Sequence, residues 1–168
     1  MRCCSFGTLL GSEIFQSFIG GIVAFRALSR PQFSVLQQNL FPIYFGMQAF
    51  LPLVMLLSYP SPSKAIPSGY QGVLHSSNRN TVFLPLVIMT VCGMSNWLFV
   101  GPMTTKTMRT RKHQETKDGK KYYDQGPHSE EMKKLNRKFS TLHGVSSLVN
   151  LVEVILTIVY AVTLSKRL

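Results

Sequence analysis

Residues 143–154 read H-G-V-S-S-L-V-N-L-V-E-V. They open an apolar run that continues to about Leu164, yet they hold a histidine, two serines, an asparagine and a glutamate. If the run crosses a membrane, those side chains stand where water is absent. Three further apolar runs, at about 4–25, 40–59 and 81–101, have the same length. A helix needs about 20 mostly apolar residues to cross the hydrocarbon core. Each run is too long for a core strand and too apolar all round for a surface helix. The chain of 168 residues is therefore expected to be all-α. We read it as one membrane domain: a four-helix transmembrane bundle with a basic, partly helical loop, 102–142, between spans three and four.

The first run does not read as a cleaved leader, because polar residues interrupt it and no A-x-A-like site follows. Cys3 and Cys4 are adjacent and Cys92 lies inside the third span, which makes neither a disulfide framework nor a metal site. Lipidation of Cys3 or Cys4 is only weakly signalled. No cofactor is expected.

All 18 Lys and Arg fall outside the four runs. Arg2, Lys64, Arg79, Lys166 and Arg167 belong to one side; Arg26, Arg30 and the eleven of the third loop belong to the other. The positive-inside rule places the richer side in the cytosol and both termini in the lumen or exterior. It does not distinguish plasma membrane from endomembrane. A nucleic-acid partner is not expected, since Tyr122 and Tyr123 alone make no aromatic platform on a folded basic surface. The basic residues suit anionic lipid headgroups, at about 1 kcal/mol per near-surface cation.

The first turn is short, so spans one and two should be antiparallel neighbours. The second loop, Y-P-S-P-S-K-A-I-P-S-G-Y-Q-G, has breakers every few residues and should be irregular. In the third loop, residues 103–117 are expected to extend the third helix, with Gly101-Pro102 as a kink or break. Ser129 is a candidate N-cap, followed by Glu130 and Glu131. Met132, Leu135, Phe139 and Leu142 then recur at helical spacing, opposite Lys133, Lys134, Arg137 and Lys138. That is the pattern of a helix lying in the headgroup region; a partner-binding helix is the competing reading. Arg26, Arg30 and these four cations are the candidate headgroup contacts. Pro52 is expected to kink the second span, with Pro42 and Pro85 in first turns. Trp97 fits an interfacial aromatic belt.

In the fourth span His143, Ser146, Ser147, Asn150, Glu153 and Thr157 form one helical stripe. Glu13, Gln16, Ser17, Gly20 and Ala24 do so in the first, and Thr90, Gly93 and Asn96 in the third. Such stripes face other helices rather than lipid. The candidate intramembrane polar site is Glu13, Gln16, Asn96, His143, Ser146, Ser147, Asn150 and Glu153. An ionised acid at mid-span costs about 2.5–3.5 kcal/mol on an insertion scale. Arg26 is about 20 Å along the axis from Glu13, and His143 about 15 Å from Glu153, so no base reaches either carboxyl. Each Glu is then neutral, or the two share a proton or a cation. Interhelical glue and a proton- or substrate-handling role both remain open for the pair. For His143 the simpler reading is a helix-end residue at the headgroup level.

Three stretches carry a resemblance: F-R-A-L-S-R-P-Q-F-S-V-L-Q-Q-N-L-F-P-I-Y-F (25–45), N-W-L-F-V-G-P-M-T-T-K-T-M (96–108) and L-N-R-K-F-S-T-L-H-G-V-S-S-L-V-N-L (135–151). The chain resembles the transmembrane protein 205-like family, especially its fungal members. The resemblance implies a four-span membrane protein with a polar loop between spans three and four, and no established enzymatic activity. It rests most on Arg26, Arg30, Phe41-Pro42, Asn96, Pro102, Thr104, His143-Gly144, Ser146-Ser147 and Asn150; Glu13 and Glu153 lie outside these positions.

The expected function is that of a non-enzymatic multi-pass membrane protein that meets lipids, a membrane-protein partner or a second copy of itself. A small transporter or export component using the polar interior is the alternative. A membrane-embedded enzyme ranks last, because neither H-E-x-x-H nor G-x-S-x-G is present.

Overall fold

The computed structural model describes residues 2–59 and 68–166. The described chain is all helix with no strand. Four helices are long and apolar enough to cross a membrane: α1 (Cys3–Ala27), α2 (Arg30–Leu57), α4 (Ser76–Asp118) and α5 (Glu130–Ser165). A short helix, α3 (Tyr70–Leu74), precedes α4. Residues 60–67, the breaker-rich part of the second loop with Lys64, lie outside the described residues, as does Arg167.

The helices overrun the apolar runs that announce them. α2 begins at Arg30, ten residues before its apolar run, because Ser29 and Pro31 start it early. The Gln32 side chain turns back to accept from the Ser29 N–H at 3.1 Å, and Pro31 occupies a first-turn position where a missing N–H costs nothing. Pro42 therefore lies in the helix interior with Pro52 and not in a first turn. α1 and α2 are joined by Leu28 and Ser29 alone, which makes them the expected antiparallel pair.

Gly101-Pro102 does not break the third long helix. A proline ring clashes with the carbonyl four residues back and offers no N–H. A wide π turn, Asn96–Val100, absorbs this: the Gly101 N–H bonds Asn96 five residues back, and the helix runs on to Asp118. The turn Arg79–Phe83 does the same ahead of Pro85.

At 43 and 36 residues, α4 and α5 are about 65 and 54 Å long. Their excess over a hydrocarbon core of about 30 Å forms a hairpin projecting from one end of the bundle. Ser129 caps α5 as expected, its Oγ accepting from the Met132 N–H at 3.2 Å. The apolar stripe that follows is turned onto α4, not toward headgroups. Met132 is fully buried, and the Arg111 guanidinium lies 3.9 Å from the Tyr122 ring and 4.5 Å from the Phe139 ring. Glu115, also buried, accepts from Lys112 at 2.7 Å and from the Tyr122 N–H at 3.3 Å. Arg111 thus clamps the hairpin. Arg111→Ala should cost about 1–2 kcal/mol locally, read as faster limited proteolysis across 119–128; Arg111→Lys should rescue it only in part, because the planar stacking is lost.

In the bundle, α2 packs on α4, α4 on α5, and α1 closes the ring against α2 and α5. The tightest crossing is at Gly93. A Cβ there would stand 2.5 Å from Ala49 N and 2.7 Å from the Gln48 carbonyl oxygen. An apolar plug of Leu9, Met55, Leu86, Met89 and Tyr160 fills the end away from the hairpin. Outward, Phe18, Ile43, Leu57, Phe99, Leu148 and Ile155 are each more than half exposed. An apolar exterior around a polar interior is the pattern of a lipid-facing bundle. The Trp97 ring meets Phe50 edge-on at 5.2 Å and sits over Gly46.

Candidate functional site: a buried acid–amide cluster

The polar stripe of α1 meets those of α2 and α5 at mid-bundle. Glu13, Gln48, Glu153 and Thr157 are fully buried there, and Tyr44 nearly so. Glu13 Oε1 accepts from Gln48 Nε2 and from the Thr157 hydroxyl, both at 3.3 Å. Asn150 Oδ1 accepts from the Tyr44 hydroxyl at 2.7 Å and from Gln48 Nε2 at 2.8 Å. Asn150 Nδ2 donates to Ser17 Oγ at 3.0 Å, and Gln48 Nε2 also reaches the Tyr44 oxygen at 3.1 Å. Thr157 lies one turn beyond Glu153 on α5, so its bond to Glu13 brings both carboxyls to one level of the bundle.

The cluster is short of donors. The Gln48 amide has two hydrogens and three oxygens within reach. Meanwhile Glu13 Oε2, Gln48 Oε1 and both Glu153 oxygens are buried with no hydrogen-bond partner. The ion pairs among the described residues, Lys112–Glu115, Lys133–Glu130 and Lys134–Glu131, are all in the hairpin. No described cation pairs with either buried acid. A donor-poor site of this kind can take a proton, or a ligand that brings N–H, O–H or positive charge.

Not every residue of the expected site arrives here. Glu13, Asn150 and Glu153 do. Asn96 is fully buried but donates to the Ser146 carbonyl at 3.3 Å, tying α4 to α5 nearer the hairpin; Ser146 thus contributes backbone. Ser147 is exposed. His143 is exposed too, its ring stacked on Phe139 at 5.7 Å; it lies well inside α5 and not at a helix end as expected. Gln16 turns instead to Gln37, at 3.2 Å. Tyr44 and Gln48 were missed. Their signal was present: Gln37, Tyr44 and Gln48 recur at spacings of seven and four, one stripe on α2.

A family model described as Domain of unknown function (DUF4149) matches residues 4–113. The chain belongs to the DUF4149 family. The matched region of this DUF4149 protein runs from α1 through most of α4. It contains Glu13, Ser17, Tyr44 and Gln48, while Asn150, Glu153 and Thr157 lie beyond it on α5. The chain is also similar to the Xanthocillin biosynthesis cluster protein D of Aspergillus fumigatus. The two are 29% identical over 164 residues, which is 98% of this chain and 86% of that protein. No solved structure matches the DUF4149 chain.

Proposed function

We propose that this protein is a non-enzymatic, four-span component of small-molecule export, of the transmembrane protein 205-like type, in the plasma membrane or an endomembrane. Its acid–amide cluster takes up and releases a proton or a cationic substrate. One observation carries the reading. Glu153 is fully buried with neither oxygen paired, beside a Glu13 with one oxygen unpaired. A carboxyl serving only as interhelical glue would have its oxygens bonded, since an unmade buried bond costs about 1–3 kcal/mol. The similar fungal protein is named for a biosynthetic cluster, a setting that an export component would suit.

The experiment is Glu13→Gln with Glu153→Gln in the full chain, which preserves hydrogen bonding and removes titration. We expect a normal protein level in the membrane with loss of the export or resistance phenotype. A phenotype retained at normal level refutes the reading; loss of the protein itself means that the acids are structural.

In the proposed orientation the termini are lumenal or extracellular and the hairpin is cytosolic. Arg26, Arg30, Arg137 and Lys138 then stand closest to anionic headgroups, while Lys133 and Lys134, paired with Glu130 and Glu131, stand farther out. Protease added to sealed microsomes should cut within 119–128 from the cytosolic side. Protection of that segment would invert the topology.

A further inference from the structure

A second feature lies one turn along α1 from Glu13, toward the α1–α2 turn, and does not depend on the acid cluster. Between α1 and α2 there is a cavity of about 360 Å³, and Phe15, Val23 and Leu36 of its walls are exposed on the outside of the bundle. Its walls are apolar: Phe15, Ile19 and Val23 on α1, Leu36 and Leu40 on α2. That volume lies at the lower end of the range of small-molecule pockets, about 300–1,000 Å³.

Local backbone makes the cavity. Residues Phe15–Gly20 form a π turn, the widened form that recurs at functional sites. A Cβ on Gly20 would stand 2.9 Å from the Phe15 ring, so glycine lets that ring lie along the wall.

The cavity also holds a polar pair. Gln16 and Gln37 line it although only 8% and 5% of their surfaces are exposed. Gln16 Nε2 donates to Gln37 Oε1 at 3.2 Å, and neither side chain makes another hydrogen bond among the described residues. The bond leaves the Gln16 carbonyl oxygen as an acceptor and the Gln37 NH₂ as a donor. Turning both amides over reverses the roles and leaves the same inventory, one acceptor beside one donor. An acyl chain of the surrounding bilayer can use neither. A hydroxyl uses both, because it donates and accepts at one atom.

The geometry points to a binding site for a neutral, hydrophobic molecule bearing a hydroxyl, with its apolar body between α1 and α2 and its OH on the Gln16–Gln37 pair. The site opens sideways, so its ligand enters from the bilayer.

The test uses the full chain in phosphatidylcholine vesicles with two probes, 1-pyrenemethanol and its methyl ether. The single Trp, Trp97, sensitises pyrene emission, and probe merely dissolved in the bilayer adds a non-saturating background. The alcohol should give a saturable signal, and the ether should bind about tenfold more weakly. Gln16→Leu with Gln37→Leu should erase that preference. Ala24→Phe, which fills the cavity from its wall, should remove the saturable signal for both probes. Equal saturable binding of the two probes to the unaltered protein overturns the proposal without any variant. So does the absence of a saturable signal, or one that survives Ala24→Phe in protein that elutes as a single species.

Discussion

Gly93→Leu will prevent α2 and α4 from closing, with a stability loss of about 3 kcal/mol or more. Overpacking usually costs about 1–3 kcal/mol because side chains can rotate away. Here the obstruction is backbone. The Ala49 nitrogen and the Gln48 carbonyl carbon both lie 2.5 Å from where a Cβ would sit, and neither can move without displacing α2. Gly93→Ala should therefore already lose about 1–3 kcal/mol, and the loss should grow with side-chain size. The same displacement carries Gln48 out of reach of Glu13 and Asn150. Thermal unfolding in detergent, followed by loss of the monodisperse species, measures the series. A Gly93→Leu protein with an unchanged Tm would show that the helices do not cross this closely.

Glu153→Leu will leave the fold as stable as before or more stable, by up to about 1–3 kcal/mol, while abolishing any activity of the cluster. Both Glu153 oxygens are buried without partners, so an apolar side chain of similar volume removes an uncompensated desolvation cost. Asn150→Leu provides the contrast. Asn150 bonds Tyr44, Gln48 and Ser17 on two other helices, and interhelical bonds in membranes contribute about 0.6–1.7 kcal/mol each. Its loss should cost about 2–3 kcal/mol. Two polar residues one turn apart on α5 thus have opposite expected signs. Should Glu153→Leu prove as damaging as Asn150→Leu, Glu153 is a structural bond-maker and the export reading loses its main support. A site held at a cost to stability is the usual sign of function.

Much of this is legible in the sequence alone. The four apolar runs, the antiparallel first pair, the Ser129 cap and the absence of a base near either acid follow from composition, periodicity and the rise of a helix. Helix ends were less legible, because they depend on caps and π turns. Pro42 looks like punctuation in the chain, yet the helix runs through it; Pro85 and Pro102 each open an α-helical stretch directly after a π turn, within one long helix. Charge and helical spacing together describe the basic loop, but neither reveals that Arg111 is buried between two rings.

The sequence by itself determined that the chain is helical and apolar outside, and that Glu13 and Glu153 would have no cation to neutralise them. Those properties are set by residue type and by distance along one helix. Only the tertiary structure decided which stripes meet. It joined Glu13 to Gln48 and Thr157, joined Gln48 in turn to Asn150, separated His143 and Ser147 from them, sent Gln16 to Gln37, and turned the 129–142 stripe onto α4. Partners across a bundle depend on the crossing depth of helices, and one glycine, Gly93, sets that depth for α2 and α4 in a way no periodicity reveals.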